Sequence, residues 1–158
     1  MTQIEPATTA DAEEIVDAWI SLATDQRRHG SRLRTEANRD QVREEIARAI
    51  VFDSAFVARV TDGSIVGFVT CELATGSYIE DETRGVISNL FVKDGHRNEG
   101  IGTALLDRAE QALQSAGAIV VTIEVLWENH DARRFYDRMG YDPHRVELTK
   151  RFESNNNS

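Results

Sequence analysis

Cysteine, proline and lysine are scarce in this sequence. Among 158 residues there are one cysteine, Cys71, and two prolines. A single cysteine excludes an intramolecular disulfide framework and a cysteine-rich zinc site, and the four histidines lack a metal-ligand spacing, so we predict no metal. The apolar runs are too short to span a bilayer, and the first residues show no signal-peptide pattern, so we expect a cytoplasmic protein. With 41% hydrophobic residues, the composition fits one globular domain.

Positive charge is also in short supply. The 27 acidic residues outnumber the 18 basic ones, which gives a net charge of −9. This balance disfavours nonspecific binding to nucleic acid or to an anionic membrane. The basic residues are almost all arginine, since Lys93 and Lys150 are the lysines. Such a surface resembles proteins of salt-loving organisms, and an ordinary acidic protein from a GC-rich genome is the alternative.

Hydrophobic periodicity predicts the element order β-α-α-β-β-β-α-β-α-β, which is one α/β domain with a mixed sheet. The first helix begins after a cap at residues 8–11, and Asp62-Gly63 marks a hairpin turn. Nearly uninterrupted β-branched sequence at 118–126 predicts a central, buried strand. The predicted domain covers 2–152, and the tail 153–158 is expected to be disordered. The other strands are predicted at residues 2–5, 55–60, 65–72, 85–92 and 146–152, and the later helices at 38–50, 100–116 and 129–139.

The most informative segment runs from a β-rich stretch through a polar loop into a glycine-bearing helix start. Residues 97–102 read R-N-E-G-I-G. The first turn of a helix presents amides without internal partners and the positive end of the helix dipole, which suits a phosphate. Glycines at 100 and 102 let a diphosphate approach the backbone, and Arg97 can add a charged hydrogen bond. A dinucleotide fingerprint would need glycine where Leu105 stands, and a Walker loop is absent.

These residues resemble the GNAT (GCN5-related) N-acetyltransferase family. Residues 97–102 match its R/Q-x-x-G-x-G/A pattern, and a second match begins with Glu124-Val125 and continues through Asn129 and Tyr136 to Gly140. Tyr141 replaces the phenylalanine that the family commonly has. The resemblance implies the GNAT fold, an α/β (α+β) architecture with a mixed central sheet of about six to seven strands and about four helices.

The resemblance also implies acetyl-CoA as the acyl donor and assigns its contacts. The strand end would pair with the pantetheine arm through main-chain groups, Asn129 would lie beside that arm, and Tyr136 would lie near the thioester sulfur. Backbone amides of the loop would hold the pyrophosphate. These implied cofactor-binding residues are Leu90, Phe91, Val92, Arg97, Asn98, Glu99, Gly100, Ile101, Gly102, Thr103, Asn129 and Tyr136.

Acetyl transfer to an amine requires a base for the acceptor proton and benefits from an acid at the departing sulfur. We predict that Tyr136 is the acid; an aromatic packing residue is the alternative. Glu124 lies in an apolar strand, where a carboxylate is costly unless it faces a cleft or a partner, so it is the candidate base. Glu72, Glu128 or a chain of waters are the alternatives. Cys71 is interpreted as a core residue and not as a nucleophile.

The predicted activity is acetyl transfer to a primary amine, which could be a protein N-terminus, a lysine or a small amine. The acidic surface favours a cationic acceptor unless the acidity is a salt adaptation. A non-catalytic acyl-CoA-binding sensor and transfer of a longer acyl group are the alternatives. Basic side chains at 27–34 would lie at the acceptor wall or form a solvated loop. By resemblance, we expect a homodimer.

Overall fold

The computed structural model describes residues 2–153, which form one five-stranded sheet with helices on both faces. The strands follow chain order across the sheet, and neighbours are antiparallel except for the last pair, which is parallel. The predicted mixed α/β fold is confirmed. The strand count is five among the described residues, below the expected six to seven. The strands are β1 (Gln3–Pro6), β2 (Ala55–Arg59), β3 (Ile65–Leu73), β4 (Arg84–Val92) and β5 (Val120–Ile123).

Four α-helices cover the sheet, as expected. They are α1 (Ala12–Arg27), α2 (Arg39–Val51), α3 (Ile101–Ser115) and α4 (His130–Arg138). Apolar side chains spaced three or four residues apart give α1, α2 and α3 one buried face each. The first two helices pack against one face of the sheet around Ile15, Ile46 and Phe68. On the opposite face, α3 packs through Leu105 and Leu106, and side chains of α4 join the same cluster.

The start of α1 is fixed by a carboxylate instead of a threonine hydroxyl alone. The Asp11 carboxylate accepts hydrogen bonds from the Thr8 amide and hydroxyl, and Arg59 of β2 donates to it at 2.9 Å. Burial by itself raises the pKa of Asp11, but the Thr8 amide and the Arg59 guanidinium outweigh it and lower that pKa. The pair therefore ties the beginning of α1 to the sheet.

Strands β4 and β5 separate at the end of β5, because β4 continues beyond the last residue that pairs with β5. Their parallel pairing begins at Arg84↔Val120 and ends at Ile87↔Ile123, whereas β4 continues to Val92. At the same point the β3–β4 register shifts, with Thr70 paired to Asn89 and Cys71 to Ile87. Ser88 is thus the extra residue of a β-bulge, which bends the strand and turns its side chain outward. This divergence leaves a cleft beside the second half of β4.

Two predictions at the C-terminal side of the sheet are wrong. The stretch 118–126 forms a four-residue strand that is half exposed and lies at the sheet edge among the described residues, because only β4 pairs with it. Residues 146–152 form no strand, and Val146, Leu148 and Phe152 are exposed. A segment of high β-propensity forms a strand only when a neighbouring strand hydrogen-bonds to it. Within residues 2–153, the segment 118–126 has a neighbouring strand on one side alone, and the segment 146–152 has none. Of the predicted tail, 154–158 lie outside the described residues.

Candidate functional site

The first turn of α3 begins with backbone amides that have no intrahelical partner. Gly100 caps the helix with φ +82°, and an ideal Cβ built there has no atom within 4 Å. The first bond of the helix runs from the Ala104 amide to the Gly100 carbonyl, so the amides of residues 101–103 precede any intrahelical acceptor. Asn98 is also left-handed, with φ 65°, a backbone conformation that asparagine tolerates. The turn can therefore accept an anion at its amides.

The side chains of this loop mostly brace the loop itself. The Arg97 Nε donates to the Val92 carbonyl at 3.1 Å, and its guanidinium lies 3.3 Å from the Asp94 carboxylate. His96 and Glu99 approach each other to 3.8 Å. Ile101 points into the core, where it is buried. The main chain, with the half-exposed charge of Arg97 beside it, is thus the part of the loop that remains available to a ligand.

The loop, the end of β4 and α4 converge. An ideal Cβ at Gly102 would lie 3.6 Å from the Phe135 ring and 3.8 Å from Val92. The Thr103 hydroxyl is 3.9 Å from the Met139 sulfur. Three segments that are distant in sequence thus meet at the first turn of α3. Of these residues, Met139 also lines the cleft beside β4 and β5.

Within residues 2–153, the β5-facing main chain beyond Ile87 lacks a ladder partner on β5, because the β4–β5 pairing stops there. On the other side, Leu90 pairs with Val69, Phe91 with Phe68 and Val92 with Gly67. Phe91 is buried against Phe68, with ring centroids 6.1 Å apart. The strand end is therefore held rigidly on one side and offers main-chain hydrogen-bonding groups on the other.

Helix α4 carries both polar residues that the sequence singles out. Asn129 caps the helix, and its Oδ1 accepts a hydrogen bond from the Ala132 amide at 3.2 Å, so a ligand would meet the NH2 side of the carboxamide. Tyr136 is half-buried, and its ring makes edge contacts with Phe135 at 5.2 Å and Tyr141 at 5.8 Å. Burial raises the pKa of Tyr136 to about 12. Its phenol is therefore protonated at neutral pH and can donate a hydrogen bond.

Tyr136 lines an open groove of about 2680 Å³ that also contains Ser88, Asn89 and Glu124. Glu124 directly follows β5 and is exposed. Of the three carboxylates that the sequence offers as a base, Glu124 lines this groove, whereas Glu72 and Glu128 do not. The two predicted catalytic residues, Glu124 and Tyr136, thus line the same groove.

Cys71 lies away from this space, in the core cluster with α3. Burial raises the pKa of its thiol to about 11, so the thiol is protonated and shielded. The prediction that Cys71 is a core residue is confirmed. Among the described residues, no three histidine, cysteine, aspartate or glutamate side chains come together as metal ligands. Within the same range, no helix combines the length and the apolar character needed to cross a membrane.

The basic loop between α1 and α2 borders the groove but is largely engaged with its own chain. Arg27 donates to the Leu33 carbonyl, and Arg28 pairs with Asp25. Arg32 lines the groove and lies 3.8 Å from Glu147. Two of these arginines therefore stabilise the loop, and Arg32 is the one that also faces the groove.

Three features of the site were not predicted from the sequence. The Ser88 bulge has no local sequence signal, since it follows from the register against β3. Arg133 stacks on Trp127 with its guanidinium carbon 3.7 Å from the ring centroid, and their spacing could have suggested the pair. Tyr141 donates a hydrogen bond to Glu110 at 2.6 Å across 31 positions of sequence, which periodicity does not report.

Comparison with known proteins identifies the family. The model of the acetyltransferase (GNAT) family matches residues 16–141, which is most of the chain. The chain belongs to the GNAT family. Members of this family bind acetyl-CoA and transfer acyl groups, which agrees with the open helix start and the divided sheet described above.

Two archaeal N-acetyltransferases and one solved structure are similar to this chain. An uncharacterized N-acetyltransferase of Methanocaldococcus jannaschii is 37% identical over 94 residues, which cover 60% of this chain and 41% of the relative. One of Archaeoglobus fulgidus is 38% identical over 84 residues, covering 53% and 56%. The chain thus spans about half the length of these relatives. An aminoglycoside N-acetyltransferase in complex with CoA shares the fold, with a TM-score of 0.76, 13% identity and coverage of 98% and 96%.

Proposed function

We propose that this GNAT protein is an N-acetyltransferase that moves the acetyl group of acetyl-CoA to a primary amine by direct attack in a ternary complex. The acceptor is a protein N-terminus, a lysine or a small amine. The observation that carries the proposal is the meeting of the α3 start with the end of β4 and with α4, the helix that places a protonated phenol on the groove beside the unpaired edge of β4.

The donor fits this arrangement in two parts. The amides of Gly100, Ile101, Gly102 and Thr103, with the charge of Arg97, would hold the diphosphate, as anions favour helix N-termini. The edge of β4 at Leu90, Phe91 and Val92, which β5 leaves without a ladder partner, would bond to the amides of the pantetheine arm, as a strand bonds to its neighbour; the Val92 carbonyl already accepts a hydrogen bond from Arg97. Asn98 and Glu99 would shape the loop, and the Asn129 NH2 would face the arm.

The chemical step depends on proton transfer and needs no covalent enzyme intermediate. A neutral amine attacks the thioester carbonyl, a C–N bond forms, and the C–S bond breaks. One proton leaves the amine nitrogen and one is gained by the sulfur, so the reaction is balanced without a redox change. Tyr136 donates a hydrogen bond to the departing sulfur, which stabilises the developing thiolate in a partly desolvated site. Backbone amides at the β4 end polarise the carbonyl.

Glu124 is the proposed base, acting directly or through a water. An amine with the pKa of lysine, ~10.4, is neutral in only about one molecule in 10³ at pH 7, so a base that takes its proton increases the fraction able to attack. Glu124 is supported by its place on the groove wall with Tyr136, and its exposure leaves it in contact with water.

Glu124→Gln tests this assignment. We expect kcat/KM for the amine to fall by about 10²-fold at pH 7, within the usual range for general base catalysis. The deficit shrinks as the pH is raised toward the amine's own pKa, because solvent then supplies the neutral acceptor. Glu128→Gln is the matched comparison, four residues away and off the groove wall. A larger loss in Glu128→Gln than in Glu124→Gln would transfer the role to Glu128.

The activity itself is tested by following release of the free CoA thiol while acetyl-CoA is offered with a panel of amines, at low and high salt. The panel contains peptides with free N-termini, lysine peptides, polyamines and small glycosidic amines. We expect turnover with one amine class well above hydrolysis of the thioester. Binding of acetyl-CoA without turnover on any amine would favour the acyl-CoA sensor instead. A fall in KM for cationic amines at low salt would support steering by the acidic surface.

A further inference from the structure

The C-terminal end of α4 places one aromatic ring against another. Gly140 adopts φ +93°, its amide donates to the Asp137 carbonyl at 3.1 Å, and the Tyr141 amide donates to the Tyr136 carbonyl at 2.9 Å. This is the Schellman arrangement, in which the residue after the glycine turns back over the last turn of the helix. Accordingly, the Tyr141 and Tyr136 rings meet edge to face, 5.8 Å apart.

Tyr141 is also fixed at its far end. Its hydroxyl donates to the Glu110 Oε2 of α3 at 2.6 Å, a short distance typical of a bond to a charged acceptor. Both side chains are half-buried. Burial and the Glu110 carboxylate raise the pKa of Tyr141 well above its ordinary range, so the hydroxyl keeps its proton and remains a donor. The bond thus joins the end of α4 to α3, the helix whose first turn faces the donor.

The ring of Tyr136 therefore lies between two neighbours of different kinds. Phe135 contacts it at 5.2 Å through packing alone, whereas Tyr141 is held by its backbone bond and by Glu110. A phenylalanine at 141, which the GNAT pattern usually has, could keep the ring contact but could not bond to Glu110. The tyrosine in this chain adds a restraint on the position of the Tyr136 ring.

We propose that Tyr141 and Glu110 are positioning residues that hold the Tyr136 phenol at the departing sulfur through their hydrogen bond. This inference rests on the proposed function, in which Tyr136 is the acid. Rigid placement matters because a hydrogen bond to the transition state weakens steeply with distance and angle. The pair acts on the rate of the chemical step and leaves donor binding to the loop and to β4.

The test compares Tyr141→Phe, Glu110→Ala and Glu110→Gln, each in the wild-type and in the Tyr136→Phe background. With Tyr136 present, Tyr141→Phe and Glu110→Ala lower kcat by about three- to tenfold, the usual worth of one hydrogen bond, while KM for acetyl-CoA changes less than about twofold. Glu110→Gln retains an acceptor oxygen and stays within about twofold of the wild type. Tyr78→Phe, whose side chain is 90% exposed, is the control for loss of a hydroxyl.

The second background separates positioning from a general structural effect. If Tyr141 acts through the Tyr136 hydroxyl, Tyr141→Phe does not lower kcat further in the Tyr136→Phe background. The proposal is overturned if Tyr141→Phe and Glu110→Ala keep wild-type kcat, or if they lower it by the same factor in the Tyr136→Phe background. A Tyr136→Phe enzyme with wild-type kcat would instead overturn the acid assignment itself. Thermal unfolding of each variant shows whether lost activity reflects lost folding.

Discussion

Tyr136→Phe should lower kcat by about 10²- to 10⁴-fold, the range found when a general acid is removed. The ring and its contacts with Phe135 and Tyr141 remain, since only the hydroxyl is lost. The dissociation constant for acetyl-CoA should change less than about twofold, because the proposed diphosphate contacts lie in the loop before α3. Steady-state kinetics and calorimetric titration measure the two effects separately.

The pH dependence gives a second check on this assignment. Since burial raises the pKa of Tyr136 to about 12, the phenol should stay protonated, and the wild-type rate should show no loss from its ionisation up to about pH 10. A Tyr136→Phe protein that turns over at the wild-type rate would contradict the acid role. A proton for the sulfur would then have to come from water.

A carboxylate placed at residue 100 should weaken donor binding by at least about tenfold. Gly100 is left-handed and borders open space, and asparagine and aspartate tolerate that backbone conformation better than other residues that carry a Cβ. Gly100→Asp and Gly100→Asn therefore present the same shape and strain. Only the aspartate adds a negative charge within a few ångströms of the proposed diphosphate. We expect its dissociation constant for CoA to exceed that of the asparagine variant by at least about tenfold.

The control for this pair is Gly117→Asp. Gly117 has φ +104° and open space around its Cβ position, so the strain and the added charge are alike. It lies at the other end of α3, roughly 25 Å away at 1.5 Å per residue. We expect CoA binding by Gly117→Asp to match the wild type. Equal affinity of the Asp and Asn variants at position 100 would mean that the diphosphate binds elsewhere.

The parts of the fold that were predictable from sequence are those with local causes. The strand, polar loop and glycine-bearing helix start at 86–106 lie within one short segment, and the structure has β4 ending at Val92 and α3 beginning at Ile101. The Asp62-Gly63 turn joins β2 and β3 for the same reason. Helix α4 was predictable because Asn129 caps it and Gly140 ends it.

The misplaced parts depend on partners distant in sequence. The β-branched run at 118–126 reads as a central strand, but its burial depends on a second neighbour that the described sheet does not supply. Likewise, apolar and polar side chains alternate at 146–152 as they do in a strand, but no neighbouring strand pairs with this segment among the described residues. The bond between Tyr141 and Glu110 joins two helices through the tertiary packing of α4 on α3. No spacing rule connects positions 31 residues apart.

The central claim is that the diphosphate of the donor binds the amides at the beginning of α3. Its most direct test is to follow the backbone amide resonances of the full chain by NMR during titration with CoA, and separately with pantetheine, which lacks the diphosphate. We predict that CoA causes the largest shifts at residues 97–103 and that pantetheine leaves these amides nearly unmoved. Largest CoA shifts in another part of the chain, or equal effects of the two ligands at 97–103, would contradict the claim.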